Sequence, residues 1–122
     1  MNLNEYQSKA IPLAIYPKKH TIIYPTLGLV GEAGEVAEKI KKWLRGDLYK
    51  PSGKDTFTEG EQKAIFNVFK EDVAKELGDV LWYLANLAND INYSLSEIAQ
   101  MNLDKLTSRK ERGTLKGSGD DR

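Results

Sequence analysis

The sequence predicts an all-α protein, most simply an antiparallel bundle of about four helices. Apolar residues recur with helical period over two long segments, and capping signals mark the starts of helices. Only Thr21–Tyr24 gives a weak strand signal. The chain of 122 residues, 40% hydrophobic and 30% charged, suits one domain with its own core. We expect residues 1–113 to form that domain and residues 114–122 to be a polar, flexible tail.

The first helix is predicted over about Asn4–Ile15, with Pro12 as a weak point and Pro17 as a stop. The stretch Tyr16–Pro25 contains two prolines and β-branched residues. We therefore expect it to be extended or looped.

The second helix is predicted to start after Pro25, with Thr26 as its N-cap, and to end near Gly46. Turn-forming and polar residues dominate positions 46–58, so a surface loop is expected there.

Two capping boxes mark the third and fourth helices. Thr58-x-x-Glu61 opens a long helix that runs to about Asn92, and Ser94-x-x-Glu97 opens a helix that ends at Gly113.

Composition excludes several classes of protein. Lys plus Arg and Asp plus Glu each number 18, so no net charge draws the chain to nucleic acid or to a membrane surface. The chain has no cysteine and a single histidine, His20, which excludes disulfides, thiolate nucleophiles and multi-histidine metal sites. No apolar run approaches the ~20 residues of a membrane span, and the first residues lack a signal-peptide pattern. We expect a cytoplasmic enzyme or binding protein.

One five-residue pattern occurs twice, as Glu32-Ala33-Gly34-Glu35-Val36 and as Glu76-Leu77-Gly78-Asp79-Val80. Residues three apart share a helix face, so each copy presents two carboxylates from one turn. Two such helices facing each other would gather four carboxylates, and burying them unpaired is very costly. A hard divalent cation with oxygen ligands is the simplest group that would hold them together. The repeat therefore predicts a metal site.

The two acidic pairs occupy equivalent positions on their helices. At roughly 100° per residue, each pair lies to one side of an apolar stripe expected to face the core, which includes Ile40 in one helix and Leu77 in the other. The acids are therefore expected at the margin of the core.

Gly34 and Gly78 lie between the paired acids, and glycine inside a helix costs about 1 kcal/mol relative to alanine. Close approach of a ligand or of another backbone is the usual reason for such a glycine. The alternative interpretation is that the acids are solvated or pair with neighbouring lysines, such as Lys39, Lys42 and Lys75.

At these residues the chain resembles the MazG-like family of all-α nucleoside triphosphate pyrophosphohydrolases. The family signature is a Glu-x-x-Glu helix followed by a Glu-x-x-Asp helix, here Glu32-x-x-Glu35 and Glu76-x-x-Asp79. Downstream, Asn102-x-x-Lys105-x-x-x-Arg109 resembles the family's nucleotide-contacting positions. The resemblance covers about Thr26–Gly113. Many members carry another glutamate where this chain has Gly31, and the two motifs are usually closer together.

The resemblance implies hydrolysis of nucleoside or deoxynucleoside triphosphates to the monophosphate and pyrophosphate with Mg²⁺, which Mn²⁺ can replace. Glu32, Glu35, Glu76 and Asp79 would be the metal-binding and catalytic residues. One of the glutamates could instead accept a proton from the attacking water, and the pattern does not single it out. The resemblance also implies a homodimer or homotetramer. No nucleic-acid or membrane partner is expected.

Four residues are candidates for substrate contact. Lys105 and Arg109 share a helix face and could bind phosphate oxygens, although a solvated basic turn near a helix end is the alternative. Asn102 could contact the ribose or base, or hydrogen-bond to a neighbouring helix. Tyr83 lies near the phase of Glu76 and could stack on a base.

Two other classes are compatible with parts of the pattern. A non-catalytic helical interaction module with a structural cation predicts that Mg²⁺ changes stability without nucleotide turnover. A carboxylate-bridged iron or manganese protein would need Glu-x-x-His pairs, which the second to fourth helices lack.

Overall fold

The computed structural model describes residues 1–47 and 54–122 and confirms the all-α class. The described residues form two 3₁₀ turns and no strand, so the weak Thr21–Tyr24 strand signal is wrong. Residues 48–53 of the predicted loop lie outside the described residues. In the described ranges, no helix is both long enough and apolar enough to cross a membrane. Four α-helices follow in chain order: α1 (Leu3–Ala10), α2 (Ile23–Arg45), α3 (Glu59–Asp90) and α4 (Leu95–Glu111).

Helix α2 begins earlier than predicted, at Ile23 instead of after Pro25. Pro25 is the third helical residue, where a backbone N–H would have no partner within the helix, so proline removes no helical hydrogen bond there. Thr26 does not cap the helix, because its hydroxyl donates to the carbonyl of Ile22 at 2.6 Å. The predicted N-cap at Thr26 and the loop extending to Pro25 are therefore wrong.

The other helix ends follow their local signals. Gly46 ends α2 in the left-handed conformation, with φ +73°, and Thr58 accepts a hydrogen bond from the backbone N–H of Glu61 at 3.2 Å. Ser94 and Glu97 form a complete capping box at the start of α4. The predicted first helix is too long at its C-terminal end, because α1 ends at Ala10 and the chain forms a 3₁₀ turn around Pro12.

The chain divides into two compact units, residues 1–15 with 85–122, and residues 16–84. The first unit depends on Gln7, which is 6% exposed. Its amide donates to the carbonyls of Ala85 and Tyr93, both at 3.1 Å. Its side-chain oxygen accepts the N–H of Leu95 at 3.0 Å, and Asn4 accepts the next N–H at 3.2 Å. Helix α1 thus satisfies backbone groups at the start of α4 that have no partner within the helix.

In the second unit α2 and α3 pair antiparallel. Near the C-terminal end of α2, Trp43 stacks on Phe69 with ring centroids 4.3 Å apart. Near its N-terminal end, Gly28 lies against the ring of Tyr83. Contacts therefore move towards later residues of α3 as they move towards earlier residues of α2.

The face that α2 and α3 turn towards each other differs from the predicted apolar stripe. At roughly 100° per residue, the side of each helix that makes these contacts lies about 70° around the helix axis from its predicted apolar stripe. Ile40 and Leu77, expected in the core, are 39% and 52% exposed. Glu32 and Glu76, expected at the core margin, are half-buried and lie between the two helices.

Replacing Gln7 with alanine should lower the free energy of unfolding by about 2–4 kcal/mol, because it leaves buried backbone groups without partners. Gln100→Ala is the matched control, since that amide is exposed and donates to the carboxylate of Asp104 at 2.7 Å. The control should change stability by no more than about 0.5 kcal/mol. Urea unfolding followed by circular dichroism measures both, and equal effects of the two substitutions would contradict this role for Gln7.

Candidate metal centre

Three of the four motif acids converge between α2 and α3. Glu32, Glu76 and Asp79 each offer a carboxylate oxygen, and these oxygens all lie within 4.8 Å of one another. Helix α2 supplies Glu32, and one turn of α3 supplies the other two. Glu32 and Glu76 are half-buried and Asp79 is exposed. The predicted meeting of the two motifs is thus visible in the geometry.

Glu35 does not join this group of three. It is exposed, yet its charge still acts on the cluster. Burial raises the pKa of Glu32 above its ordinary value, and the charges of Asp79, Glu76 and Glu35 raise it further, in that order. The carboxylates therefore repel one another in the absence of a cation.

Lys39 gives the cluster a cation at one side only. Its Nζ lies 3.6 Å from Glu76 Oε1 and 3.9 Å from Asp72 Oδ2. Within the described ranges no basic side chain comes within 4.0 Å of the carboxylates of Glu32 or Asp79. Lysine pairing, the alternative interpretation of the motif, is thus correct for Glu76 but leaves the other two carboxylates without a counter-charge.

Tyr83 lies beside the acids, and Tyr24 and Tyr16 continue from it. Burial raises the pKa of Tyr83, and so do Tyr24, Glu32 and Asp79, so this phenol lies in the negative field of the cluster. Tyr24 in turn stacks on Tyr16, with centroids 5.0 Å apart and planes at 16°. The sequence indicates Tyr83 alone. Tyr16 and Tyr24 lie in the segment that the sequence predicts to be a loop, where the only signal is two aromatic residues among prolines.

The glycines of the motif region do different things. A Cβ added at Gly28 would overlap the ring of Tyr83, so glycine is required there for the ring to keep its place. At Gly34 and Gly78 an added Cβ meets nothing within 4 Å. The close approach expected at those two glycines is therefore not made by the described part of the chain.

The predicted substrate residues Asn102, Lys105 and Arg109 belong to the unit formed by residues 1–15 and 85–122. Lys105 and Arg109 meet at the carboxylate of Asp120, at 3.2 and 3.4 Å. Asn102 and Lys105 line a surface pocket of about 460 Å³, together with Ile91, Tyr93, Ile98 and Met101.

The donor set of the cluster suits a hard divalent cation. Carboxylate oxygens are the ligands that Mg²⁺, Ca²⁺ and Mn²⁺ prefer, and the three acids provide no nitrogen or sulfur donor. Such a cation would neutralise the repulsion that raises the pKa of Glu32.

The chain is similar to a known protein family and to a phage protein. The family model described as the MazG nucleotide pyrophosphohydrolase domain matches residues 21–114, a range that contains all eight predicted site residues. The Gene 37 protein of Mycobacterium phage L5 is 44% identical over 128 aligned residues, covering 100% of both chains. No solved structure matches the chain.

Replacing Gly28 with alanine should destabilise the α2–α3 pair by about 1–3 kcal/mol, because the new methyl group forces the ring of Tyr83 to move. Gly31→Ala is the matched control, since no atom of the described residues lies within 4 Å of its Cβ position. The control should gain up to about 1 kcal/mol from helix propensity. Thermal unfolding measures both, and stabilisation by Gly28→Ala would contradict the contact.

Replacing Glu32 with glutamine should stabilise the cation-free protein at neutral pH. Because the folded-state pKa of Glu32 is raised, ionising this carboxyl costs stability. That cost is absent below the unfolded pKa and complete above the folded one, so the gain should grow as pH rises through that interval. Urea unfolding in EDTA, from about pH 4 to about pH 7.5, measures the difference from wild type.

Glu38→Gln is the control for that experiment. A hydrogen bond from Lys41 lowers the pKa of Glu38, so its charge is favourable and its removal should have the opposite sign at neutral pH. Saturating Mg²⁺ should stabilise wild type more than Glu32→Gln, because only wild type keeps all three carboxylates. A loss of stability on Glu32→Gln at neutral pH in EDTA would contradict a mutually repulsive cluster.

Proposed function

The chain belongs to the MazG nucleotide pyrophosphohydrolase family, and on this premise we propose that it hydrolyses nucleoside or deoxynucleoside triphosphates to the monophosphate and pyrophosphate. The reaction depends on Mg²⁺, which Mn²⁺ can replace, and takes place in the cytoplasm. The observation that carries this proposal is the convergence of Glu32, Glu76 and Asp79 from two separate motifs.

Glu32, Glu76 and Asp79 would hold the ion, since they are the acids whose oxygens lie close together. A bound Mg²⁺ supplies charge neutralisation for the phosphate oxygens and for the charge that develops during phosphoryl transfer. Lys39 pairs with Glu76 and with Asp72 on the far side, and so holds one edge of the cluster in position. These contacts support a pre-formed site for a hard cation.

Glu35 is our candidate for accepting the proton of the attacking water. It lies one turn from Glu32 and acts on its pKa, yet it is exposed and stands outside the group of three. A carboxylate beside a metal-binding cluster, with free access to solvent, is placed to act as a general base. This assignment narrows the choice among glutamates that the sequence pattern leaves open.

Nucleotide recognition is assigned to aromatic, amide and basic side chains. Tyr83 borders the acids, and its ring offers a stacking surface for a base. From the family resemblance, Lys105 and Arg109 would contact phosphate oxygens and Asn102 the sugar or base. The pocket shared by Asn102 and Lys105 supports a ligand contact at that end of the motif.

We also propose that the protein is a homodimer or homotetramer. Helices α2 and α3 carry large apolar side chains that the described residues leave substantially exposed, which is unfavourable in water. A second copy of the chain is the occupant that the family resemblance implies. In the described part of these helices the exposed set is Ile23, Tyr24, Leu27, Val30, Ile40, Leu44, Phe66, Val68 and Leu77.

Product analysis with Mg²⁺ and a panel of ribo- and deoxyribonucleoside triphosphates tests the proposed reaction. Wild type should release the monophosphate and pyrophosphate. Glu76→Gln should reduce turnover by at least about 100-fold, because metal-ion catalysis supplies several kcal/mol and each 1.36 kcal/mol is tenfold in rate. Glu71→Gln is the matched control on the same helix, since Glu71 is exposed and pairs with Lys75, at 3.7 Å.

Two other outcomes would contradict the proposed reaction. Diphosphate plus inorganic phosphate would retain the metal site but contradict pyrophosphohydrolysis. No turnover with any nucleotide, together with stabilisation by Mg²⁺, would favour the non-catalytic interaction module with a structural cation.

A further inference from the structure

Arg109 is the most deeply buried charged residue in the described part of the chain, at 4% exposed. One terminal nitrogen donates to the carbonyls of Gly119 at 3.2 Å and Asp120 at 2.6 Å, and lies 3.4 Å from the Asp120 carboxylate. Lys105 reaches the same carboxylate oxygen at 3.2 Å. The residues that follow α4 therefore fold back and place one acidic side chain on two cations.

The folded-back segment, Thr114–Arg122, has a shape that its own sequence specifies. Gly117 and Gly119 have φ values of +131° and +86°, which side-chain-bearing residues rarely adopt. Arg122 closes the segment by donating to the carbonyls of Thr114 at 3.3 Å and Leu115 at 3.1 Å, and to that of Gly119. We call this segment the tail loop.

The contact between Asp120 and its two cations is incomplete in two respects. The Asp120 side chain is 84% exposed, even though it contacts two cationic side chains of α4. Among the described residues the buried Nε of Arg109 has no hydrogen-bond partner, so one donor of the guanidinium fork remains unused there. A carboxylate with a single oxygen in place thus satisfies these cations less fully than an anion with several oxygens would.

We propose that Asp120 is an internal ligand of an anion site formed by Lys105 and Arg109, and that a polyphosphate displaces it and releases the tail loop. The proposal rests on the proposed function for the triphosphate of the nucleotide as the natural displacing group. The Asp120 carboxylate contacts both Lys105 and Arg109 and so occupies the position that an anion would take. It must leave before phosphate oxygens can bind there. The tail loop would then oppose substrate binding until the anion site is filled.

Asp120→Asn tests the proposal in the full-length protein, because it removes the competing charge but keeps the backbone carbonyls that Arg109 binds. Titration calorimetry in EDTA measures binding of inorganic tripolyphosphate without a contribution from the metal centre. The variant should bind about two- to fivefold tighter, the size expected when a carboxylate that is 84% exposed loses its weak ion pairs with Lys105 and Arg109. Asp121→Asn is the matched control and should match wild type, since Asp121 makes no ion pair within the described ranges.

Hydrogen exchange of the tail-loop amides gives a second, independent readout. Tripolyphosphate should accelerate exchange across Thr114–Arg122 in wild type, and in Asp120→Asn that exchange should already be faster before it is added. Unchanged or weaker tripolyphosphate binding by Asp120→Asn would overturn the proposal, because the tail loop would then be neutral or a part of the binding site. Protection of the tail loop by tripolyphosphate would overturn it as well.

The two proposals fail in different ways. If nucleotide hydrolysis is not observed but Asp120→Asn binds tripolyphosphate more tightly and the tail loop opens, the internal ligand stands without the enzyme activity. If hydrolysis is observed and neither readout responds, only the internal ligand is wrong.

Discussion

Repulsion among carboxylates that meet between α2 and α3 is the constraint on which the second unit depends. One carboxylate oxygen from each of Glu32, Glu76 and Asp79 lies within 4.8 Å of the other two, and among the described residues Lys39 gives a counter-charge to Glu76 alone. Two helices with such a centre need attraction elsewhere. Aromatic rings provide it on both sides of the acids, as a stack near the C-terminal end of α2 and as a tyrosine packed on a glycine near its start. Aromatic contacts at both ends therefore hold the two helices together on either side of the acidic centre.

Helix existence and most helix ends could be predicted because their signals are local. Ser94 and Gly46 act through neighbouring backbone groups, so a few residues of sequence contain the whole interaction. The start of α2 could not be read in this way, since Pro25 is compatible both with a loop and with a first helical turn. The role of Gln7 was hidden for a different reason. Its partners are 78 to 88 positions away, beyond the reach of any periodicity.

The convergence of the acids could be predicted because two copies of one pattern imply equivalent positions on two helices. The rotation of those helices could not, because it depends on contacts such as Trp43 on Phe69, which outweigh the apolar stripe that includes Leu77. In the sequence Lys39 is one of several lysines near the motif, and its pairing with Glu76 depends on three-dimensional geometry. A paired motif thus predicts which residues meet, whereas long-range packing decides what surrounds them.

The aromatic stack beside the connection between α2 and α3 also bears on the order of folding. Trp43 and Phe69 are 26 positions apart, whereas Gly28 and Tyr83 are 55 apart, so the stack closes the shorter loop and loses less chain entropy. Pairing that begins there and proceeds along the hairpin brings the carboxylates together only after the rings have locked the register. Metal ions would then act after the main barrier and slow unfolding more than they hasten folding. Repulsion among the carboxylates would then not oppose formation of the folding nucleus.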